Sequence, residues 1–317
     1  MIKKLIFLAL FFISTQSYCT ESDTIIHSPT RSYEVYEILG QGAFGKVFSA
    51  KDTIGNWYAI KMYHSPSSEH GGYGFWERLG DVQREFDRGQ YLDHPHIIKS
   101  YEFFSVEEID STFLVLEYIN GNVIGEINKQ SISIDDGLNA ALQLVDGLKY
   151  AYSKEVLHLD LHEWNVMMNK ENETKIIDLG SFFTFEEVEK LFYALFKNVQ
   201  LRGLFSEEIN LDHVEKLRNF IEKNRQHVTV PTIKHPHRSH TQNVEEMYKG
   251  VHLMYIYSVF NMATTILSKG NYSEEQIESL NLEMDSYLEE LKEEFDTEKV
   301  LEGFDYLRDM LKNFNTK

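Results

Sequence analysis

Gly40-Gln41-Gly42-Ala43-Phe44-Gly45-Lys46-Val47 follows one strand candidate, Tyr33 to Leu39, and leads into another at Val47-Phe48-Ser49-Ala50. Glycines at this spacing have two chemical uses and one bland one. In a dinucleotide-binding fingerprint they open a helix whose N-terminus receives a pyrophosphate, so helical periodicity must follow the last glycine. Here the strand pattern continues. The run therefore fits a flexible hairpin whose backbone amides fold over phosphates, or plain turn punctuation without a ligand. Further on, Tyr58-Ala59-Ile60-Lys61 ends an apolar strand on a lysine. An edge-strand charge needs no special explanation, but beside a glycine hairpin this ammonium is placed to reach phosphate oxygens.

A second cluster is basic. From Lys223 through His240 there is no acid, while Lys223, Arg225, Lys234, Arg238, His227, His235, His237 and His240 occur together. A solvated loop, contact with an acidic substrate, and a metal site are all open. The histidine spacing matches no strong metal pattern and there is no cysteine to help.

The elements that must position these groups change character along the chain. Tyr33 to Lys61 alternates apolar and polar residues with glycine punctuation, as antiparallel strands do. From Ile134 onward the period is 3.6: Leu138, Ala141, Leu142, Val145 and Leu148 mark one helix face. Further helices are expected around Val188-Leu191-Phe192-Leu195-Phe196 (Glu186 to Lys197) and Val214-Leu217-Ile221. Thr184 with Glu187, and Ser273 with Gln276, have capping-box spacing. The class is α+β, a strand-rich part followed by a larger helical part.

Composition removes several functions. With 50 acids against 31 bases, the chain's negative field opposes adhesion to nucleic acid or anionic lipid. A short basic start, the apolar run Leu5 to Ile13 and Ser17-Tyr18-Cys19 have the tripartite form of a cleavable signal peptide over residues 1–19. The run is too short to span a bilayer, so no transmembrane anchor is expected and the protein is read as secreted or exported. Residues 20–32 read as a polar linker.

The glycine loop and strand lysine resemble those of the protein kinase superfamily. Further residues match in order: Glu85 in Val82-Gln83-Arg84-Glu85-Phe86, the hinge-like Leu116-Glu117-Tyr118-Ile119-Asn120-Gly121, then His158-Leu159-Asp160-Leu161-His162-Glu163-Trp164-Asn165 and Ile177-Asp178-Leu179-Gly180. The resemblance implies a bilobal fold, with a small antiparallel sheet lobe over 33–120 and a helical lobe over 121–317. ATP would lie between them. Gly40, Gln41, Gly42, Ala43, Gly45 and Val47 would cover it, Ala59 and Met167 would join its binding site, Leu116 would lie at the back of the pocket, and the Glu117 and Ile119 backbone would bond the adenine edge. It further implies that Glu85 holds Lys61 on the phosphates, that Asp160 orients a substrate hydroxyl, and that Asn165 and Asp178 hold Mg²⁺. His162 would lie near the transferred phosphate. Protein serine or threonine is the implied acceptor, including protein of another cell.

Departures point at the substrate side. Leu159 stands where such kinases usually carry an arginine that grips an activation-loop phosphate. His162 replaces a lysine, as in aminoglycoside phosphotransferase-like kinases. No Ala-Pro-Glu follows Gly180, and Tyr255 occupies the place of an aspartate in a central buried helix. Control by phosphorylation after Asp178 is therefore not expected, since no arginine is evident there save Arg202 or Arg225. The rival readings are a small-molecule kinase and a nucleotide-binding pseudokinase, the latter opposed by the intact Lys61, Asp160, Asn165 and Asp178.

Overall fold

The computed structural model describes residues 24–42, 45–64, 75–106, 111–129, 131–196, 211–224, 240–293 and 296–314. The signal segment, Ala43, Arg202 and the basic stretch from 225 to 239 lie outside the described residues. Six strands build the first layer: β1 Ile25–His27, β2 Ser32–Gly42, β3 Gly45–Asp52, β4 Trp57–His64, β5 Ser100–Val106 and β6 Ser111–Glu117. All neighbours are antiparallel, in the order β1-β2-β3-β4-β6-β5. Helix α1, Phe75–Tyr91, interrupts the meander between β4 and β5.

Period two explains this sheet. Along β4, Tyr58, Ile60 and Met62 point to one face and join Tyr33, Ala50, Phe104, Phe113 and Val115 in an outer apolar cluster. Ala59 and Tyr63 point to the other face, where they join Leu114, Leu116 and the main core. Lys61 shares that second face, because alternate strand residues lie on the same side. Pairing of Ala59 with Leu116 and Lys61 with Leu114 fixes the register.

The expected linker is corrected in part. Ile25, Ile26 and His27 pair with Glu34, Tyr33 and Ser32, making β1 a sixth strand. Glu102 explains the return of the chain: its carboxylate accepts from Ser28 Oγ at 2.9 Å, Thr30 Oγ1 at 2.6 Å and Tyr33 Oη at 2.5 Å. A polar stretch was thus tied down by a carboxylate about 70 residues away, which no local pattern reveals.

The second layer contains two small ladders, β7 (Gly121–Val123), β9 (Val166–Asn169) and β10 (Thr174–Ile176) in one, and β8 (Val156–His158) with β11 (Phe182–Thr184) in the other. Around them pack α2 Ile134–Ser153, α3 Phe185–Phe196, α4 Leu211–Asn224, α5 His240–Lys269, α6 Glu274–Glu293 and α7 Thr297–Phe314. On α2 the face Ala141, Leu144, Val145 and Leu148 is wholly buried, and Ser133 caps its start by accepting from Asp136 N. Both capping boxes form: Glu187 N donates to Thr184 Oγ1 at 3.1 Å, and Gln276 N to Ser273 Oγ at 3.2 Å. In α5, Met254, Tyr255, Ile256, Val259 and Phe260 are buried, as a helix at the centre of the lobe must be.

Among the described residues, His158 and His252 are buried inside this scaffold and His213 is partly buried. Burial pushes His158 down to about 4 and His252 to about 3; His213 is also pushed to about 3, by burial and then by Arg84 and Lys216. Histidines of the denatured chain titrate near 6.5, so as pH falls the denatured state takes protons first and the native state loses stability from there downward. At pH 5 the penalty approaches about 2 kcal/mol for each fully buried ring. Urea midpoints should accordingly be level from about pH 8 to pH 7 and fall steeply toward pH 5. A midpoint unchanged across that range would show that these rings accept protons without loss of the fold.

Candidate active site

Lys61 reaches across from β4 to α1. Its Nζ lies 3.0 Å from both carboxylate oxygens of Glu85, a two-pronged charged hydrogen bond between sheet and helix. Nζ also stands 4.8 Å from the ring centroid of Tyr63. Burial alone would lower the lysine, but Glu85 and then Asp178 outweigh it and hold it above its ordinary value. The ammonium is therefore charged, bonded to one carboxylate and held charged by a second that another part of the chain contributes.

The second group comes from the turn after β8. Phe182 pairs with His158, and Leu159 N donates to Ser181 O at 2.9 Å, so this turn is laced to the segment after Asp178. Leu159 is core, consistent with its apolar side chain where an arginine is usual. Asp160 follows with its carboxylate half exposed, and Oδ2 lies 3.5 Å from His162 Nε2. His162 lowers the Asp160 carboxyl below its usual range against the opposing effect of burial. Asn165 Nδ2 donates to Asp160 O at 2.8 Å and lies 3.0 Å from His162 Nε2.

The β9–β10 hairpin delivers the third group. Val166 pairs with Ile176, and just beyond the ladder Ile177 N donates to Asn165 O at 3.0 Å, which brings Asn165 beside the residue preceding Asp178. Asp178 Oδ1 accepts from Gly180 N at 3.1 Å and Oδ2 from Ser181 Oγ at 2.5 Å. Burial would raise this carboxyl; Lys216, Lys61 and His158 together hold it well below the usual carboxylate range. An ionised carboxylate and an amide whose nitrogen is already engaged on Asp160 O leave oxygen donors for a hard cation. That donor set fits Mg²⁺, which takes one or two protein oxygens and keeps water or phosphate in its other positions.

The glycine hairpin is the pair β2–β3, with Gln41 opposite Lys46 and Gly42 opposite Gly45. Gly45 has φ +146°, and a Cβ there would meet Met62 O at 1.8 Å, whereas a Cβ on Gly40 would meet nothing within 4 Å. Gly45 is required by the close approach of β4; Gly40 faces open space. Val47, opposite Lys61, is partly buried against the core, and Ala59 and Leu116 are buried as a cross-strand pair. Met167, half-buried on β9, pairs with Val123. In the hinge, Glu117 N donates to Lys99 O at 2.9 Å, its carboxylate lies 2.6 Å from Lys175 Nζ, and Ile119 O accepts from Gly121 N at 3.0 Å.

The expectation of no arginine near the segment after Asp178 is overturned. Arg84 on α1 donates from NH1 to Gly180 O at 3.1 Å, from NH2 to Phe182 O at 2.5 Å and from Nε to Glu187 Oε1 at 3.1 Å. Arg88, one turn on, reaches Glu187 Oε2 at 2.6 Å. Flanking Glu85 on one helix, the two arginines were visible in sequence only as surface charges. Lys216 and Lys223 of α4 also reach the site, the first to Gly180 O at 3.2 Å and Ser181 Oγ at 2.9 Å, the second to Leu161 O at 3.1 Å. Lys223 is thus the last turn of a helix, not part of the loop expected from its basic neighbours. Tyr255 is wholly buried beside Tyr152 and Phe304, and burial pushes its phenol far up.

A family model described as "Protein kinase domain" matches residues 33–198, more than half of the chain. The chain belongs to the protein kinase family. It is 30% identical over 151 residues to CBL-interacting serine/threonine-protein kinase 1 of Arabidopsis thaliana, covering 47% of this chain and 32% of that protein. Serine/threonine-protein kinase PLK4 of Aedes aegypti is 34% identical over 152 residues, 47% of this chain and 19% of that one. Aurora/IPL1-related protein kinase 2 of Caenorhabditis elegans is 31% identical over 154 residues, 47% of each. The chain spans less than half the length of these relatives. Its matched part carries β2 to β6 of the sheet, α1 and both ladders of the kinase fold, while β1 precedes the match and α4 and everything after it lie beyond.

The tightness of the kinase site around Gly180 yields a test. A Cβ on Gly180 would lie 2.7 Å from Glu85 Oε1 and 3.3 Å from Asp178 Oδ1, so Gly180→Ala must push the Glu85 carboxylate away from Lys61. A partly buried lysine that loses its anion gives up its proton more readily, and the neutral amine is the better nucleophile. Acylation of Lys61 at mild alkaline pH, read by peptide mass spectrometry, should run several-fold faster in Gly180→Ala and in Glu85→Gln than in the parent. Equal rates would mean that Glu85 does not govern the ammonium.

Proposed function

We propose that the chain transfers the terminal phosphoryl group of ATP to a serine or threonine hydroxyl of a protein. The observation that carries this reading is the Lys61–Glu85 pair at 3.0 Å, whose charged ammonium is near enough to Asp178 to be held charged by it as well, with Asn165 tied to Asp160 O close by in the chain. Support for the acceptor comes from the relatives, whose names describe serine/threonine kinases.

In this reading Lys61 holds phosphate oxygens, and Asn165 and Asp178 hold Mg²⁺, which when bound neutralises charge on the phosphates. Asp160, ionised and half exposed, accepts a hydrogen bond from the attacking hydroxyl and aligns its oxygen on the terminal phosphorus. As the new O–P bond forms, the bond to the bridging oxygen breaks, ADP departs, and the hydroxyl proton passes toward Asp160. His162, 3.5 Å from Asp160, fixes the carboxylate's orientation. Asp160→Asn should cut transfer of labelled phosphate to a generic protein acceptor by a hundredfold or more, in line with general-base contributions of about 10² to 10⁴. Nucleotide affinity should change only a few fold. Retention of more than about a tenth of the parent rate would assign the role elsewhere. Sugars and aminoglycosides assayed beside proteins separate the small-molecule reading favoured by His162.

Activity without phosphorylation belongs to the same proposal. Between Asp178 and α3 the chain is short, and Glu187 already supplies an anion to Arg84 and Arg88. Phosphatase-treated protein, checked by mass spectrometry at Ser181 and Thr184, should transfer phosphate as fast as untreated protein; a tenfold drop would reveal a phosphate-dependent arrangement. Export is proposed from the basic-apolar-small pattern of residues 1–19. N-terminal sequencing from the native host should find a start near Thr20, and intact Met1 would reject it.

A further inference from the structure

We infer that α4 is a positioning element of the transfer site, its Lys216 and Lys223 fastening the two loops that carry Asp178 and Asp160. This rests on the phosphoryl-transfer reading and extends it to residues that the family match does not cover.

The two lysines are seven residues apart, which on a helix is about two turns and places them on one side, about 10 Å apart along the axis. An adjoining stripe, Val214, Leu217 and Phe220, is buried, and Asn224, buried at the end of an otherwise more open last turn, donates from Nδ2 to Phe220 O at 2.8 Å. The helix is therefore anchored by apolar packing while its ammonium groups extend to the loops.

Lys216 donates to Gly180 O at 3.2 Å and to Ser181 Oγ at 2.9 Å, and Ser181 Oγ in turn donates to Asp178 Oδ2 at 2.5 Å. A relay of two hydrogen bonds thus joins α4 to the carboxylate assigned to the metal. Lys216 is also the cation that does most to keep that carboxylate ionised. Lys223 donates to Leu161 O at 3.1 Å, the carbonyl between Asp160 and His162. Because Leu159 N already donates to Ser181 O at 2.9 Å, the two loops form one unit, closed on the near side by backbone pairing and on the far side by α4. Leu159 cannot serve as a tether, since it is buried in the core. These cations come instead from a helix outside the matched domain.

The test uses Lys216→Met and Lys223→Met, which keep an unbranched stem and delete the ammonium, with Lys216→Gln and Lys223→Gln as second variants should either fail to fold. Amide hydrogen exchange on the nucleotide-free protein is the first readout, because local loosening appears there without any turnover. Loss of Lys216 should speed exchange in peptides covering 178–184 by about fivefold or more, and loss of Lys223 in those covering 159–165, with α2, α5 and α7 unchanged. Steady-state transfer is the second: kcat should fall about tenfold in each, with KM for ATP within about threefold, since orientation and not nucleotide contact is lost. Unchanged exchange at both loops, faster exchange throughout the helical lobe, or an unaltered kcat in a variant that loosens its loop would each overturn the assignment. If the parent protein transfers no phosphate at all, the functional reading fails, while the exchange measurement still decides whether α4 fastens the loops.

Discussion

The interaction on which the rest of the structure depends is the ion pair between a strand and a helix. Lys61 and Glu85 are both largely withdrawn from water, and removing either would leave a mostly buried charge without a partner, which is far costlier than losing a surface pair. The pair can form only if β4 presents Lys61 to the cleft and α1 presents Glu85 to the sheet. A slip of one residue in the β4–β6 register would send Lys61 into the outer apolar cluster and turn Ile60 toward the cleft. The outer cluster, which has no part in the chemistry, therefore determines where the ammonium points.

Helix α1 is in turn held from its other side. Arg84 and Arg88 grip the segment after Asp178 and share Glu187, whose carboxylate also caps α3 by accepting from Thr184 N at 2.6 Å. One carboxylate thus sets the start of a helix and the placement of a second helix. Gly180 fits this arrangement because a side chain there would occupy the space of Glu85. Although the chain carries an excess of acids, cations from β4, α1 and α4 converge on a few residues around Asp178, and of these Lys216 of α4 and Lys61 of β4 are the ones that hold its carboxylate ionised.

Much of this was legible in the sequence, for reasons that can be stated residue by residue. The glycine hairpin, the strand lysine, the capping boxes at Thr184 and Ser273 and the 3.6 period of α2 are local patterns, fixed by neighbours within a few positions. The α+β division followed from the same periodicities, and the order of Lys61, Glu85, Asp160, Asn165 and Asp178 carried the family resemblance. What stayed hidden depends on contacts over long separations. Arg84 meets Glu187 across 103 residues, and Lys223, which the sequence groups with a basic loop, meets Leu161 across 62; neither partner can be read from local pattern. Strand β1 was hidden for a related reason, since the carboxylate of Glu102 that ties down its turn lies on the far strand of the sheet.

The ladder between β8 and β11 has a consequence for small molecules that enter the cleft. A compound that gained affinity by prying Leu179 and its neighbours outward would first have to break the Leu159–Ser181 bond, the Arg84 bonds to Gly180 O and Phe182 O, and the contact of the Arg84 guanidinium with the Phe183 ring at 4.2 Å. Leu179 itself is almost fully buried, so the space behind it is filled by the protein. A molecule that reaches this region therefore meets a closed face at Leu179, with no room to open behind it unless those bonds are broken together.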